Sequence, residues 1–411
     1  MAAGSLPGLV ALAAGLLAAG ASAPARADDD ETSPPDQPSI TGKIEGWHWA
    51  GVPVVSYGSD VGLTLGGALF VYAPFSERPS EQRHSITVSL SYATRGPKSL
   101  DGGWTAKRLL GTSLSTMLNL HLSDDGQMPY WGEGAQLGGL STPPGFGSPP
   151  EPYRYHDRRA FLAAVARALV AGPFGWHVRA RYLNVGVPEQ SALLASSSPP
   201  GARGGRVALF EAGLLWDSRD RDMGTHRGVF ANLAAFAAPA IGGVSDFGFH
   251  GWDASVRVYV PLVLGATLAM RGVWDVKRAG IPWQSAAPTD AVPFFERMLY
   301  EGISYNEGLG GGGTIRGVAR YRISGEDKLL GNVQLRIPLF TVHPAGKPLE
   351  FGLSAGVDAG RASQPGYDAV QDAGAAVGLR LAWDRAILAR FEVGRARGGD
   401  NTFFVGFGEM F

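Results

Sequence analysis

The sequence predicts an all-β fold, a transmembrane antiparallel β-barrel, and three observations carry this prediction. Apolar and polar residues alternate over about ten residues in many segments. The connections between these segments alternate between short and long. Glycine is frequent, at 59 of 411 residues, and only 18% of residues are charged, although the hydrophobic share is an ordinary 45%. A membrane barrel explains this mixture, because only alternate residues face lipid and that face tolerates almost no charge.

The N-terminus indicates export from the cytoplasm. The apolar run Leu9–Ala19 is shorter than the roughly 20 residues that a membrane helix needs. Ala25 and Ala27 then place small residues at the two positions that a signal peptidase reads. We expect a signal peptide at 1–27 and a flexible, acidic and proline-rich periplasmic lead-in at 28–46. A disordered alanine-rich tail is the alternative for the first segment.

Strict alternation gives each expected strand one apolar and one polar face. Val256 and Val258, for example, share one face, and Arg257 lies on the other. A soluble β-sandwich would alternate over strands of about 5–6 residues, whereas many segments here reach 10 to 14. That length suits a tilted strand across a bilayer, which only a closed barrel crosses with its backbone groups satisfied. The aromatic residues expected in interfacial girdles near strand ends are Trp216, Trp274, Trp383 and Phe411.

The expected barrel occupies residues 47–411 and has 16 strands. Two of these strands are inferred at 47–58 and in the ambiguous region 95–108, and a barrel of 14 strands also fits without them. The fourteen clearly alternating segments fall near 61–72, 84–94, 109–122, 159–171, 175–187, 206–217, 228–238, 252–260, 264–278, 331–339, 349–358, 377–383, 387–394 and 402–411.

The lengths of the connections predict the orientation. Tight or moderate connections are expected at 172–175, 217–227, 261–265, 340–348 and 383–386, and they alternate with longer ones. Outer-membrane barrels have short periplasmic turns and longer surface loops. Both ends of the chain are therefore expected in the periplasm. The longer connections are 123–158, 187–206, 238–248, 279–328 and 361–374.

The longest connection contains a glycine-rich segment, Gly308–Val318, and a strongly alternating strand, Leu330–Leu339, follows it. This pairing resembles the bacterial surface antigen superfamily of outer-membrane assembly and translocation barrels. The sixth surface loop of that family folds back into the lumen and carries an Arg-Gly-aromatic tip, which Arg316 and Gly317 match, with Val318 replacing the aromatic residue. The resemblance implies an inward-folded long loop and an integral protein of the bacterial outer membrane.

The next strand of the family carries an aromatic-x-Asp-x-Gly motif, of which this chain keeps Asp358 and Gly360. The resemblance implies that Arg316 and Asp358 meet in the lumen. An arginine–carboxylate pair there would be bidentate and partly desolvated, so that it would latch the loop inside the barrel. The glycines before Arg316 would let the loop fold back without clashes. The alternative is that Arg316 is an ordinary charge on a surface loop.

Further segments extend the resemblance over residues 50 to 411. The lead-in at 28–46 is too short for the periplasmic POTRA domains of full-length members, so the resemblance implies a barrel-only member. The matching segments are Asp217, Arg219 and Asp220, which resemble the periplasmic turn motif; Gly406 and Phe411, which resemble the C-terminal insertion signal; and Pro53–Tyr57 and Tyr130–Gly134, which resemble recurring segments of short members.

Several kinds of chemistry are excluded. With 36 basic and 37 acidic residues the chain lacks the basic excess of a nucleic-acid binder. It has no cysteine and no HExxH pair, so no metal site is expected. Gly308–Gly313 fits GxGxxG without the strand–helix context of a dinucleotide site. Ser354 lies in a GxSxG match in mid-strand, whereas a nucleophile elbow needs a strand–turn–helix. No catalytic residue and no cofactor are therefore expected.

The expected function follows from the resemblance. The leading hypothesis is a barrel that aids the insertion or export of a protein or lipid partner. The expected partners are outer-membrane lipid and a periplasmic or outer-membrane protein client. The alternatives are a passive or gated pore and, much weaker, a lipid hydrolase that uses Ser354. The lumen charges would either line a channel or, as we expect, form an interlocked network: Arg257, Arg271, Asp275, Arg336, Arg380, Arg390 and Glu392.

Overall fold

The computed structural model describes residues 47–411 except 59–60, 75–81, 134–150, 221–223, 303–306, 345–347, 384–386, 400 and 408–409. In this part of the chain, sixteen antiparallel strands close into one barrel, and two short strands pair in a loop. The strands are β1 His48–Gly58, β2 Gly62–Pro74, β3 Gln82–Ala93, β4 Lys98–Ala106, β5 Leu114–Pro129, β6 Arg154–Ala171, β7 Phe174–Gly186, β8 Gly204–Asp217, β9 Gly228–Ala238, β10 Phe249–Pro261, β11 Thr267–Ala279, β12 Leu299–Tyr300, β13 Glu307–Gly308, β14 Asp327–Val342, β15 Leu349–Gln364, β16 Tyr367–Trp383, β17 Ile387–Ala396 and β18 Asn401–Phe407.

The predicted sixteen strands are confirmed, and the alternative of fourteen is wrong. Both strands inferred from weak patterns are present, as β1 and β4. Each barrel strand pairs with its sequence neighbour, except that β11 pairs with β14 across the longest loop and β1 closes the barrel against β18. The signal peptide at 1–27 and the lead-in at 28–46 lie outside the described residues.

The two faces of each strand have the polarity of a membrane barrel. On β14, Asn332, Gln334 and Arg336 are buried in the lumen, while Val333 and Leu335 between them face outward. On β11, the outward Trp274 is 47% exposed and the adjacent Asp275 is fully buried. The side chains exposed on the outer surface are apolar, because in the cell they contact lipid rather than water.

The loops divide the barrel into two ends. At one end the connections are short, such as 172–173 and 262–266, and by the rule for outer-membrane barrels this end faces the periplasm. At the other end four connections are long: 130–153, 187–203, 239–248 and 280–326. The α-helices described within them are short, Ala192–Ser197 with six residues and Phe294–Arg297 with four. No helix among the described residues is long and apolar enough to cross a membrane.

Two segments differ from the sequence-based expectation. The long loop expected at 361–374 is wrong, because β15 and β16 continue to a tight hairpin at 365–366, where Gly366 has a positive φ of 83°. This hairpin extends beyond the lipid, so that both of its faces are solvated and the alternation fades. The strand expected from 109 starts only at Leu114, after a 3-10 turn at Leu109–Gly111.

The expected aromatic girdle is correct for two of its four members. Trp216 and Trp274 face outward and are half-exposed. Phe411 is only 6% exposed and packs inside the barrel against Tyr259 and Ala269, so its assignment to the girdle is wrong. The side chain of Trp383 lies outside the described part. Phe411 is drawn inward because guanidinium groups of the lumen wall stack on its ring, a contact that alternation does not reveal.

The apolar core lies inside the barrel, where the 280–326 loop folds back. One cluster at the surface end packs Phe294, Phe295 and Met298 of this loop against the walls of β6 to β9. A second cluster packs Leu309, Ile315, Val318 and Ile323 against β11, β14, β15 and β17. The loop therefore fills much of the lumen that these strands enclose.

The barrel closes through a short seam. Among the described residues, β1 and β18 pair only at Tyr57 with Val405 and at Gly58 with Phe404. On its other side, β1 pairs with β2 along its whole length, from His48 to Gly58. The periplasmic part of β1 therefore has no paired neighbour on the β18 side within the described part of the chain.

We predict that Val377→Arg, on the outward face of β16, lowers the stability of the inserted barrel by about 2–4 kcal/mol, because the charge enters the hydrocarbon region. Val377 is 62% exposed near the middle of the strand. Tyr367→Arg, on the same strand at the surface hairpin, should cost less than about 1 kcal/mol. Urea titrations of the protein in phospholipid vesicles measure both, and equal losses would contradict the assigned lipid face.

Candidate functional site

The tip of the inward loop is shaped by its own backbone contacts. Gly311 N donates to Val318 O at 2.8 Å, which closes the turn that carries Arg316. The Thr314 hydroxyl accepts from Gly310 N at 2.8 Å and lies 3.0 Å from the carbonyl oxygen of Gly308. Gly317 has a φ of 96°, and a β-carbon there would collide with the β17 backbone. Glycine at 317 is therefore required by both backbone conformation and space.

Arg316 lies at this tip and is bound by two carboxylates of the wall. Its Nε and Nη2 donate to Asp358 on β15 at 2.8 and 3.0 Å, and its Nη1 donates to Glu392 on β17 at 2.9 Å. All three residues are at most 2% exposed. Burial lowers the pKa of the Arg316 guanidinium, but the two carboxylates outweigh burial and raise it, so that the charge is permanent.

Asp358 accepts further hydrogen bonds that fix its orientation. The backbone N of Arg316 donates to it at 3.1 Å, and Asn332 Nδ2 on β14 donates at 2.8 Å. Asn332 also donates to the loop at Thr314 O, at 2.6 Å. Three wall strands thus hold one loop tip through charge-assisted, nearly fully buried bonds.

Glycines on the lumen face make room for the tip. A β-carbon on Gly356, Gly374 or Gly394 would collide with Arg316, and one on Gly360 would collide with Ile315. Only Gly360 was singled out by the sequence motif. Gly356 and Gly394 lie at lumen-facing positions of segments predicted as strands, whereas Gly374 falls in the segment 361–374 that was predicted as a loop. The sequence pattern does not say what passes over these three glycines.

A second charged cluster holds the descending limb of the loop, residues 294–301, which leads from β11 toward the tip. Glu296 and Glu301 of the loop lie between Arg179 and Arg181 of β7 and Lys277 of β11. Arg181 makes a bidentate pair with Glu296 at 2.7 and 2.8 Å, and all five side chains are fully buried. This cluster was not predicted from the sequence. The one local signal of it is that Arg179 and Arg181 lie on the same face of a single strand.

The basic side chains of this cluster lower the pKa values of its two glutamates. Burial raises the pKa of the Glu301 carboxyl, but Arg181, Lys277 and Arg179 outweigh burial and hold it well below its ordinary value. Burial acts on Glu296 in the same way, and Arg181 and Lys277 again lower its pKa. Both carboxylates therefore stay charged at neutral pH, as a buried and fully paired group requires.

The residues of the predicted periplasmic turn form a separate site. Arg219 donates from Nε and Nη2 to Asp217 at 2.9 and 2.8 Å, and its guanidinium lies 4.8 Å from the Phe230 ring centre. Asp220 accepts from His226 N at 3.1 Å across the same turn. These contacts stabilise the turn itself and do not reach Arg316.

Phe411 is linked to the loop tip through the wall. Arg271 and Arg336 lie 4.9 and 5.5 Å from its ring centre, and Arg336 Nη2 donates to Phe411 O at 3.2 Å. Arg271 also donates to Asn332 at 2.7 Å and to Gly313 O of the loop at 2.9 Å. Gly406 lies on the lumen face of β18, under the ring of Phe404.

The other chemical candidates gain no support. Ser354 lies inside β15, with Arg336 and Gly378 as its cross-strand partners, so the strand–turn–helix of a nucleophile elbow is missing. Within the described ranges, no three His, Asp or Glu side chains are grouped to hold a metal ion. The geometry around Arg316 anchors a loop; it does not resemble a catalytic site.

A known protein family matches this sequence, and several solved structures share its fold. A family model described as the Omp85 superfamily domain matches residues 203–408, half of the chain. A search of curated proteins gave no match. BamA from Haemophilus ducreyi lacking POTRA domains 1-3 is similar in structure, with a TM-score of 0.54 and 14% sequence identity, over 88% of this chain and 70% of that one.

Two other solved structures share the fold. CdiB from Acinetobacter baumannii has a TM-score of 0.53 at 13% identity, over 87% of this chain and 59% of its own. CdiB from Escherichia coli has a TM-score of 0.58 at 14% identity, over 88% of this chain and 63% of its own. The chain thus spans less than two thirds of either CdiB structure, and at these identities the likeness concerns the fold.

We predict that Asp358→Ala destabilises the folded barrel by about 3–5 kcal/mol, because it leaves the buried Arg316 charge without its main partner. The loss of the heat-modifiable shift on unheated gels, measured against temperature, reports it. Asp246→Ala is the matched control, since it removes a partly exposed pair with Arg206 at 2.8 Å and should cost at most about 1 kcal/mol. Equal melting of the two variants would contradict the anchoring of the loop tip by Asp358.

We predict an acid-dependent contribution from Glu301. The pKa of Glu301 is lowered in the folded state, so its charged carboxylate stabilises the fold fully above the ordinary pKa of a glutamate. This stabilisation is lost as pH falls through the lowered pKa. Glu301→Gln should therefore melt at a lower temperature at pH 7 and lose less stability than wild type on acidification below about pH 4. Melting of the heat-modifiable form across pH measures this, and parallel curves for the two proteins would refute it.

Proposed function

The chain belongs to the Omp85 superfamily, and on that premise we propose that it inserts or exports a protein client at the outer membrane, where it is an integral β-barrel. The observation that carries this proposal is the short seam between β1 and β18. Barrel closure elsewhere rests on long ladders, such as the one between β1 and β2. The seam is therefore the place where the wall opens at the lowest cost.

An open seam leaves backbone hydrogen-bonding groups of β1 without partners. Backbone N–H and C=O groups of β1 that lack a neighbouring strand cannot bond to water in the hydrocarbon region, and each unmet group costs several kcal/mol. An extended client segment that adds to this edge meets the need with its own backbone. Such pairing reads backbone rather than side chains, so the site accepts varied clients that share a strand conformation.

Within this proposal the anchored loop acts as a rigid support. Arg316, Gly317, Asp358 and Gly360 keep the loop tip against β15 and β17, and Gly317 N also donates to Thr402 Oγ1 on the seam strand β18 at 2.9 Å. Asp217, Arg219 and Asp220 stabilise a periplasmic turn on the opposite wall. Gly406 and Phe411 serve the insertion of the chain itself. The mature protein begins after 1–27, and 28–46 leads into the barrel at 47–411 from the periplasm.

A pore is the second candidate, and the lumen face of β3 favours it. Ser85, Thr87, Ser89 and Ser91 point inward there and are partly exposed, in contrast to the buried walls of β7 and β14. The lumen therefore has one side filled by the loop and one hydroxyl-lined side that water reaches. Bilayer recordings separate the two functions, since large and stable conductance without any client effect favours the pore.

We predict that a disulfide between Tyr57→Cys and Val405→Cys stops client insertion. Residues 57 and 405 are paired across the seam, so the disulfide holds β1 and β18 together. The chain has no cysteine of its own, so the introduced pair is the only one. In liposomes, the folding rate of an added eight-stranded barrel client should fall to the protein-free rate under oxidation and recover with reductant.

The matched control joins Val55→Cys to Leu65→Cys on the same outward face, within the β1–β2 ladder that stays paired. This disulfide should form without changing the folding rate of the client. If the oxidised seam variant folds the client as fast as this control does, the seam is not the insertion site.

A further inference from the structure

The segment Tyr130–Glu133, which directly follows β5 at the surface end, has no role in the sites described so far. Tyr130 and Trp131 are 2% and 4% exposed, although the segment begins a long surface connection. Its neighbours belong to the inward loop, at the mouth of the lumen and away from the Arg316 tip. We call these four residues the surface clasp.

The surface clasp holds the ascending limb of the loop, residues 319–326, which leads from the tip to β14. Trp131 Nε1 donates to Arg320 O at 2.9 Å, and the Arg322 guanidinium lies 5.3 Å from the centre of the Trp131 ring. Asp125, just before the clasp on β5, binds Arg320 Nη2 at 2.9 Å. The Trp131 ring also stacks on Tyr153 at 5.4 Å between ring centres. One indole thus links the β5–β6 wall to this limb.

The same segment holds the descending limb. The Tyr130 ring meets Phe294 edge to face at 5.4 Å. Glu133 forms an ion pair with Arg297, and the two side chains are 13% and 11% exposed. Glu133 also accepts from Gln364 Nε2 on β15 at 3.2 Å, and thereby reaches the opposite wall. Arg297 has a second carboxylate, Glu326, at the longer distance of 3.6 Å.

These contacts tie both limbs of the loop to two walls through three side chains of the clasp, Tyr130, Trp131 and Glu133. The Arg316 contacts are made with β14, β15 and β17 and share no residue with the clasp. The loop therefore has anchors at three places: its tip in the lumen, the Glu296 and Glu301 cluster on the descending limb, and the clasp at its surface mouth. A pair as desolvated as Glu133 and Arg297 is sensitive to the loss of either partner, since the remaining charge stays buried.

We propose that the surface clasp is the outward gate of the lumen: Trp131 and Glu133 position the two limbs of the inward loop across the mouth, and their release opens the lumen to the cell exterior while the tip stays anchored. Both are positioning residues. This inference deepens the proposed function, because a client or solute that leaves toward the surface needs this exit, but its test requires no client.

The test measures the access of a reagent from outside. Ala362 is 1% exposed, faces the lumen on β15 and packs in the cluster beneath the ascending limb. Ala362→Cys supplies the single cysteine of the chain, and a membrane-impermeant maleimide is added to intact cells. Trp131→Phe keeps an aromatic ring but removes the indole donor to Arg320 O, and Glu133→Gln removes the charge. The double variant should label about tenfold faster or more, since each 1.4 kcal/mol shifts an equilibrium tenfold.

Three controls make the result decisive. Arg206→Gln, which breaks a surface pair with Asp246 in a neighbouring loop, should leave labelling at the wild-type rate. Glu133→Asp with Trp131 intact, which keeps a carboxylate toward Arg297, should label more slowly than the double variant. All variants should keep the heat-modifiable shift. The proposal is overturned if the double variant labels at the wild-type rate, or if fast labelling appears only in protein that has lost that shift. A seam disulfide that leaves client folding unchanged would refute the proposed function and not this gate.

Discussion

The fold depends on one constraint: in lipid, every backbone N–H and C=O group must find its partner within the protein. Closure of sixteen strands into a barrel meets that need. It also places apolar side chains such as Val377 on the outer, lipid-facing surface and charged side chains such as Glu392 inside. The constraint explains why charged residues accumulate in the lumen. It also creates a second need, because charges enclosed by a barrel must be paired.

The inward loop meets this second need, and it does so with opposite polarity at its two deep contacts. At the tip, the loop supplies the cation Arg316 and the wall supplies Asp358 and Glu392. At the descending limb, the loop supplies Glu296 and Glu301 and the wall supplies the cations. A loop shifted along the lumen would separate both sets of pairs and leave their charges buried without partners. The charge pattern therefore specifies one position for the loop, and hydrophobic packing around it adds little directional information.

The seam and the surface clasp are the two places where the structure is closed by few contacts. Among the described residues, the seam has two paired positions between β1 and β18, and the clasp is a segment of four residues. Both lie beside the anchored loop rather than within its buried network. The lumen is rigid, and its two weakly closed boundaries face lipid and the cell surface. Opening either boundary would let a client or solute leave while the barrel stays folded.

The sequence by itself determined the barrel, because side-chain alternation with a period of two is a local property that strand geometry imposes. It also pointed to Arg316, Gly317, Asp358 and Gly360 through a motif resemblance, and the structure brings these four together. It did not identify Glu296 and Glu301 as partners of the β7 arginines, or Gly374 and Gly394 as the floor beneath the loop tip. These contacts depend on which wall the loop meets, and no local pattern encodes that.

Only the tertiary structure placed Phe411 inside the lumen and the 365–366 hairpin above the lipid. Alternation specifies that a strand exists; its end depends on where lipid gives way to water or to a neighbouring guanidinium. The physical reason is the same in both cases. Strand periodicity is fixed by covalent geometry between neighbours in the chain, whereas burial and charge pairing are fixed by residues that are distant in sequence and close in space.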